Sequence, residues 1–348
     1  MNKNKTIPHS KACFTEKDLN ALTRVIQSSM VAHGSLAETL AAHLAEMYGG
    51  YGGVSVSSGS IALLIALQCS KIPHGSLIAC PTYVCPEVPN AISLSGYSPY
   101  FIDTTKDFSI DLQQAKNAAK ICNGIILPHL LGIWHDYSQL KEFYPYILED
   151  FAQCLYRPCG KMLPLQGNIG IFSFQGTKPI SCGEGGVIIA KSKSELNALI
   201  KSQVISKSEY RNNLAPFSDL QAALGLSQLE QLESFSKRRQ EIAEFYLSEL
   251  TGISNIDLPS CQNTSWYRFP LTTKEPITKL IHRFAEYGIA VRRPCSLLSH
   301  EFFTNSQGSN NYRGAKKIYD QTFSIPIYPA MNEKQVRQVV KVVKTIFS

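Results

Sequence analysis

The chain has 348 residues, 44% hydrophobic and 18% charged, which is enough for two domains around large cores and excludes a disordered chain. Its 34 Lys and Arg against 27 Asp and Glu leave a formal charge of +7, a mild excess that suits an anionic substrate or an ordinary basic surface, and no basic block interleaved with aromatics points to nucleic acid. Ten cysteines without C-x-x-C spacing read as reduced core thiols of a cytoplasmic protein, no apolar stretch behind MNKNKTIPHSK suggests a signal peptide, and the longest apolar run, IALLIAL, is too short for a bilayer.

The first element is a helix over 14–29, with Thr15 as cap and Asp18 three residues on. A second helix over 35–48 has the same device in Ser35 and Glu38, and Leu36, Leu40 and Leu44 form one stripe. From residue 54 to 150 strand and helix patterns alternate, with strands at 54–57, 77–80, 99–102, 124–128 and 146–149. The helices between them lie at 60–70, 86–95, 109–120 and 136–143. Pro86 and Pro89 fall in a first turn, where proline is tolerated. The alternation predicts a largely parallel sheet covered on both faces, completed by strands at 169–174 and 186–190. Helices at 193–204, 217–232 and 235–250 follow.

After Gly252 the pattern changes. A strand within 265–273, a helix over 276–287, strands at 289–293 and 322–327, and a last helix capped by Asn332 make an α+β unit, with 306–311 as an exposed loop. The reading is an α/β chain with a large domain over residues 1–232 and a smaller C-terminal α+β domain over 233–348. There is no internal repeat.

Three strand ends carry chemistry. The stretch GIFSFQGTKPISCGEGGVI places Lys178 in a turn between two apolar strands, followed by Gly183-Glu184-Gly185-Gly186. A lone lysine in such a turn commonly points into water. Held between buried strands, its ammonium form is disfavoured and its amine becomes a good nucleophile for a carbonyl. Glu149, Asp150 and Gln153 end a second strand, and Ser57-Ser58-Gly59-Ser60 opens a helix after a third. Free amides at that helix start, with the Ser58 and Ser60 hydroxyls, suit an anion. Ligands of open α/β sheets bind at the carboxyl ends of strands. A phosphate seat, an acid and a lysine together match the needs of pyridoxal phosphate.

At this point the chain resembles the DegT/DnrJ/EryC1/StrS group of sugar aminotransferases, which have the fold of aspartate aminotransferase. Eight segments carry the resemblance in order: VAHGSLAETLAAHLAEMYG, SSGSIAL, CPTYVCPEVPNAI, PHLLG, EDFAQ, FSFQGTKPISCGEGG, FSDLQAALGLSQLEQL and FSIPIYPAMNEKQV. It implies a type I pyridoxal-phosphate-dependent transferase fold, with Lys178 as the lysine that carries the coenzyme. Asp150 then faces the pyridine nitrogen, Gln153 the ring oxygen, and Gly59, Ser60 and Ser173 the phosphate. Cys85 stands where the family usually stacks an aromatic ring, with Tyr83 as a neighbour that stacks instead or belongs to the core. Asn213 is the residue sent to the phosphate of a second subunit, although direct alignment places Leu214 there, and Pro216 stands where a basic residue is common. His129 reads as a hydrogen-bonded structural histidine, and Arg292, Arg293 and His300 as residues within reach of substrate.

The resemblance implies an aminotransferase that alternates between pyridoxal and pyridoxamine phosphate, takes nitrogen from glutamate, gives it to a nucleotide-linked keto sugar and works as a homodimer. A pyridoxamine-dependent sugar dehydratase or deoxygenase is the alternative enzyme; relatives of that kind have histidine in place of the lysine. A non-catalytic coenzyme-binding regulator on the same fold is the third reading. No metal, nucleic acid or membrane partner is expected.

Overall fold

A computed structural model describes residues 6–155, 164–202, 215–303, 307–308 and 311–347. Helix α1 (Glu16–Ser28) begins as the sequence predicts, with Thr15 and Asp18 closing a capping box. Helix α2 (Ser35–Met47) does not: its cap is Gly34, which makes no side-chain bond. Its first amides donate instead to the Asp219 carboxylate, Ala37 N to Oδ1 at 3.0 Å and Leu36 N to Oδ2 at 3.4 Å. Glycine is required at 34, since a Cβ there would lie 2.7 Å from Asp219 Oδ2.

The alternating region follows as β1 (Gly52–Val56), α3 (Gly59–Gln68), β2 (Leu77–Pro81), α4 (Glu87–Leu94), β3 (Ser98–Ile102), α5 (Leu112–Ala118), β4 (Cys122–Pro128) and β5 (Ile147–Asp150). The helix expected over 136–143 is only a single 3-10 turn, Ser138–Leu140. Tyr137 N donates to Gln166 Oε1 at 2.8 Å and Ser138 N to Asp136 Oδ1 at 2.9 Å, which fixes the start of this turn. Strands β6 (Ile169–Ser173) and β7 (Gly186–Ala190) match their expected positions.

Among the described residues these strands form an eight-stranded sheet in the order β1-β7-β6-β5-β4-β2-β3, with the short β9 (Gln307–Gly308) at its edge. Pairing is parallel throughout except at β7, which runs antiparallel to both β1 and β6. That reversal positions the site. Gly186 opposes Val56 on one side and Ser173 on the other, so the carboxyl ends of β1 and β6 meet beside the start of β7. Helices α3 and α4 cover one face with Val56, Ile126, Leu148 and Ile171. On the other, α2 and the later helices α7 (Asp219–Glu230) and α8 (Leu232–Leu250) follow, with Leu40, Phe151, Phe172 and Phe217 in one buried cluster, while α6 (Lys193–Ser202) adds Leu199 to the α3 face.

The remaining chain builds β8 (Phe269–Thr272), α9 (Ile277–Glu286), α10 (Arg313–Gln321), β10 (Thr322–Ile325) and α11 (Glu333–Phe347). Strands β8 and β10 pair antiparallel, and α8, α9 and α11 pack on them around Phe269, Leu280, Phe323 and Val339. Ile7 from the start of the chain joins this core. Asn332 caps α11 through Oδ1 to Gln335 N at 2.9 Å, as expected. The predicted strand over 289–293 is replaced by isolated bridges, Ile289 to Ile7 and Arg292 to Ser324, because its two ends pair with different segments. Among the described residues no helix is long and apolar enough to cross a membrane.

Candidate active site

The start of α3 and the end of β6 touch more closely than side chains normally allow. Ser58 is the N-cap of α3, and its hydroxyl accepts from Ile61 N at 3.2 Å, so that hydroxyl is committed to the helix rather than to a ligand. Gly59 lies against Ser173, where a Cβ would stand 2.6 Å from Ser173 Cβ and 2.9 Å from its Oγ. Ser60 is exposed and Ser173 half-buried. The first-turn amides of a helix have no partner within it. The sequence-predicted Gly59, Ser60 and Ser173 are thus gathered at one helix start.

Asp150 ends β5 and is buried, with Oδ1 accepting from Ala152 N at 2.9 Å. Burial raises its pKa; the Ala152 amide and the charges of Lys178 and His129 pull it back, and Glu87 adds to the rise. Three residues on, Gln153 Oε1 accepts from Leu131 N at 2.9 Å, which orients the amide. Lys178 follows β6 in a turn closed by its own N–H to Gln175 O at 2.8 Å. It is half-buried rather than enclosed, and its charge is felt by Asp150, Cys85, Cys295 and Tyr267, so these groups lie near it. The glycine turn after it is shaped by packing: Gly185 has φ +158°, and a Cβ there would lie 2.3 Å from the Phe217 ring.

Cys85 opens onto the cleft, and its thiol is pushed up to about 12, first by desolvation against the cleft walls and then by Glu87. Tyr83 belongs to the core: it is fully buried among Phe108, Leu130 and Cys295, and its hydroxyl accepts from Cys295 N at 3.3 Å. His129 is structural as predicted. Its Nδ1 accepts from His135 N at 3.2 Å, which places the proton on Nε2, and that proton goes to Glu149 Oε2 at 3.1 Å. Phe151 stacks on the imidazole at a centroid distance of 4.7 Å.

Arg293 lies over the Tyr319 ring and donates to Tyr319 O at 3.0 Å, while Arg292 is exposed. His300 stacks on Tyr312 at 4.1 Å and bonds Thr82 Oγ1 at 2.6 Å. Asn213 and its neighbours Asn212 and Leu214 lie outside the described residues. Glu87, whose charge bears on Asp150 and Cys85, and Tyr267 with its partner Arg268, on which the Lys178 charge bears, escaped the sequence reading. Glu87 looked like an ordinary first-turn acid, and SWYRFPLTT like a plain strand.

The sequence profile of the DegT/DnrJ/EryC1/StrS aminotransferase family matches residues 12–344. The chain belongs to this family. Its enzyme class is that of a pyridoxal-phosphate-dependent aminotransferase. GDP-perosamine synthase of Escherichia coli O157:H7 is 26% identical over 369 residues, with 99% of each chain covered. Two solved structures share the fold. A DegT/DnrJ/EryC1/StrS aminotransferase from Brucella abortus has a TM-score of 0.86 at 19% identity, covering 96% of both chains. GDP-4-keto-6-deoxy-D-mannose-3-dehydratase of E. coli, with bound hydrated pyridoxal phosphate, has a TM-score of 0.87 at 19% identity, covering 97% of this chain and all of that one.

Proposed function

We propose that the protein transfers an amino group from glutamate to a keto sugar carried on a nucleotide, in a homodimer, with Lys178 as the residue that carries the coenzyme. The observation behind this reading is the convergence of Lys178 and buried Asp150 on the cleft, next to the glycine-backed start of α3. Pyridoxal phosphate fits these residues. A Cβ at position 59 would fill the space between α3 and Ser173, so glycine keeps the helix amides open to a phosphate. Gly59, Ser60 and Ser173 hold that phosphate. Asp150 would favour a protonated pyridine ring, and Gln153, whose Oε1 is held by the Leu131 amide, would keep its amide nitrogen free to donate to the coenzyme. Bound there, the coenzyme supplies an electron sink for carbon–hydrogen cleavage. With the coenzyme held there, Lys178 Nζ would be the group placed to hold and move a proton beside it. Cys85 borders the ring where an aromatic would stack, and its thiol, held up at about 12, stays neutral and unreactive at physiological pH.

The curated relative's name supports a sugar nucleotide as acceptor, and the formal charge of +7 suits its diphosphate. Purified protein with added coenzyme is expected to show a visible band that glutamate bleaches, and a panel of nucleotide-linked keto sugars read by mass shift identifies the acceptor. No bleaching with any amino donor sinks the reading. The fold shared with a sugar dehydratase favours that enzyme as the second reading. Borohydride trapping separates the two, since label on Lys178 supports the transaminase and its absence the dehydratase. For assembly, Asn213 is proposed to cross to the partner's phosphate. Mixing Lys178→Ala chains with chains altered at Asn213 should restore activity through hybrid dimers, and no recovery refutes the shared site.

A further inference from the structure

A cavity of about 510 Å³ opens beside the β3–β9 edge of the sheet, lined by His300, Asn311, Tyr312, Arg313 and Lys316. That volume lies in the range of small-molecule sites. Two aromatic rings and two cationic side chains line it, and among the described residues no acid does. The rings form one unit, His300 stacking on Tyr312 at a centroid distance of 4.1 Å with 26° between their planes. Gly308 of β9 has no room for a Cβ against the Tyr312 hydroxyl, so the backbone passes directly against that side chain.

The walls are fixed from the sheet. Buried Asp103, just past the end of β3, accepts from Gly314 N at 2.8 Å and Ala315 N at 2.7 Å, and Gly314 has no room for a Cβ against Thr104 O. The first turn of α10, which carries Arg313 and Lys316, is thereby clamped. Its amides are spent on Asp103, so an anion in the cavity would meet side chains rather than the helix start. Lys316 Nζ lies 3.4 Å from Asp320 Oδ2, but the two are 67% and 49% exposed, and such a pair holds the lysine only weakly. His300 is tied to the turn after β2: Thr82 Oγ1 bonds its Nδ1 at 2.6 Å and accepts from its N at 3.1 Å, and Ser299 N donates to Thr82 O at 2.9 Å. The same turn carries Tyr83, whose hydroxyl accepts from Cys295 N at 3.3 Å, and then Cys85. One short segment therefore joins the cavity to the residue that borders the proposed coenzyme site.

We propose that this cavity seats the nucleoside diphosphate of the sugar acceptor. The base stacks on the His300–Tyr312 pair, and Arg313 and Lys316 meet the phosphates. Aromatic faces accept any base, and an arginine fork matches phosphate oxygens. The sugar then runs from the cavity past Thr82 toward Lys178. The assignment rests on the reading of the acceptor as a nucleotide-linked sugar.

Equilibrium dialysis of the coenzyme-loaded enzyme against guanosine, uridine and thymidine diphosphates reads the cavity without turnover. At least one is expected to bind, and more weakly as salt rises. Replacing Arg313→Gln together with Lys316→Gln, and separately Tyr312→Leu, should each weaken it about tenfold or more, the latter through lost base stacking. The same diphosphate should compete with the acceptor once mass shift has identified it. In the Arg313→Gln, Lys316→Gln enzyme the acceptor's KM should rise with little change in kcat, as for a contact made equally in ground and transition states. No diphosphate binding, binding indifferent to all three replacements, binding that does not compete with the acceptor, or a fall in kcat alone overturns the proposal. Arg313 and Lys316 are exposed, so their replacement carries the test if Tyr312→Leu does not fold. Bleaching by glutamate reports on the transaminase reading and dialysis on the cavity, so either can fail alone.

Discussion

Glu149 is the most tightly bound carboxylate of the site region, and replacing it with glutamine should unseat β5. The side chain is fully buried. Oε1 accepts from the Gln166 and Gly167 amides, at 2.6 Å for Gly167. Oε2 accepts from His129 Nε2 at 3.1 Å and Gln166 Nε2 at 3.4 Å. Every partner is a donor. His129 cannot reverse, because His135 N already donates to its Nδ1. Gln166 cannot flip, because its Oε1 accepts from Tyr137 N and its Nε2 donates to His135 O. Whichever way the introduced amide turns, its NH₂ meets two donors, so two bonds to a charged acceptor are lost and two donors are left facing it. At about 1.5–3 kcal/mol for each bond to a charged group, Glu149→Gln should cost about 3–6 kcal/mol. Glu149→Ala should cost at least as much, because it strands all four donors. Denaturant unfolding of the coenzyme-free protein, followed by circular dichroism with the slope checked against wild type, gives the difference. A loss under about 1 kcal/mol for Glu149→Gln would show that the network tolerates reversal and refute the reasoning.

Gly59→Ala should weaken coenzyme binding about tenfold to a hundredfold, from about 1–3 kcal/mol of overpacking against Ser173, as read by equilibrium dialysis. Adding Ser173→Gly should restore the melting temperature, and an unaltered Gly59→Ala protein would deny the close approach. Asp219→Ala should cost about 1–2 kcal/mol by uncapping α2, the size of a lost N-cap, and unchanged thermal unfolding would count against it. Asp150→Asn should stabilise the coenzyme-free protein near neutral pH. A carboxyl whose pKa rises on folding favours the folded state when protonated, an advantage lost as pH rises through the raised value. The gain over wild type should therefore vanish as pH falls below the ordinary aspartate range; a gain that persists in acid would assign the effect to something other than ionisation.

What the sequence made legible were interactions closed within a few residues. The Thr15–Asp18 box is one, and the Asn332 cap of α11 another. Asp150, Gln153, Ser173 and Lys178 could be placed because each follows directly from a strand end. Reading failed where the partner lay far along the chain. Ser35 and Glu38 have the spacing of a capping box, yet the α2 amides go to Asp219. The 289–293 stretch has strand composition, yet Ile289 and Arg292 face partners in unrelated segments. Tyr267 sits in an apolar run, and its segment is docked by a distant turn, Arg268 N donating to Leu131 O and Ser265 N to Gly132 O. The family resemblance drew attention to Cys85 but gave no warning of Glu87 beside it.

The reversed strand β7 has a consequence for how the chain is assembled. Gly52 at the start of β1 pairs with Ala190, about 140 residues later, and among the described residues β1 has no other neighbour in the sheet. During synthesis β1 therefore waits as an unpaired strand until β7 has emerged, and closing so long a loop is entropically costly and slow. The same event brings Gly59 against Ser173 and seats the turn that carries Lys178, so the proposed coenzyme pocket comes into being when β1 closes on β7. A ligand that binds only the finished pocket then draws the equilibrium toward the completed sheet. Refolding with pyridoxal phosphate present should raise the yield of native protein, and the visible band should grow in step with closure of β1 rather than with earlier collapse.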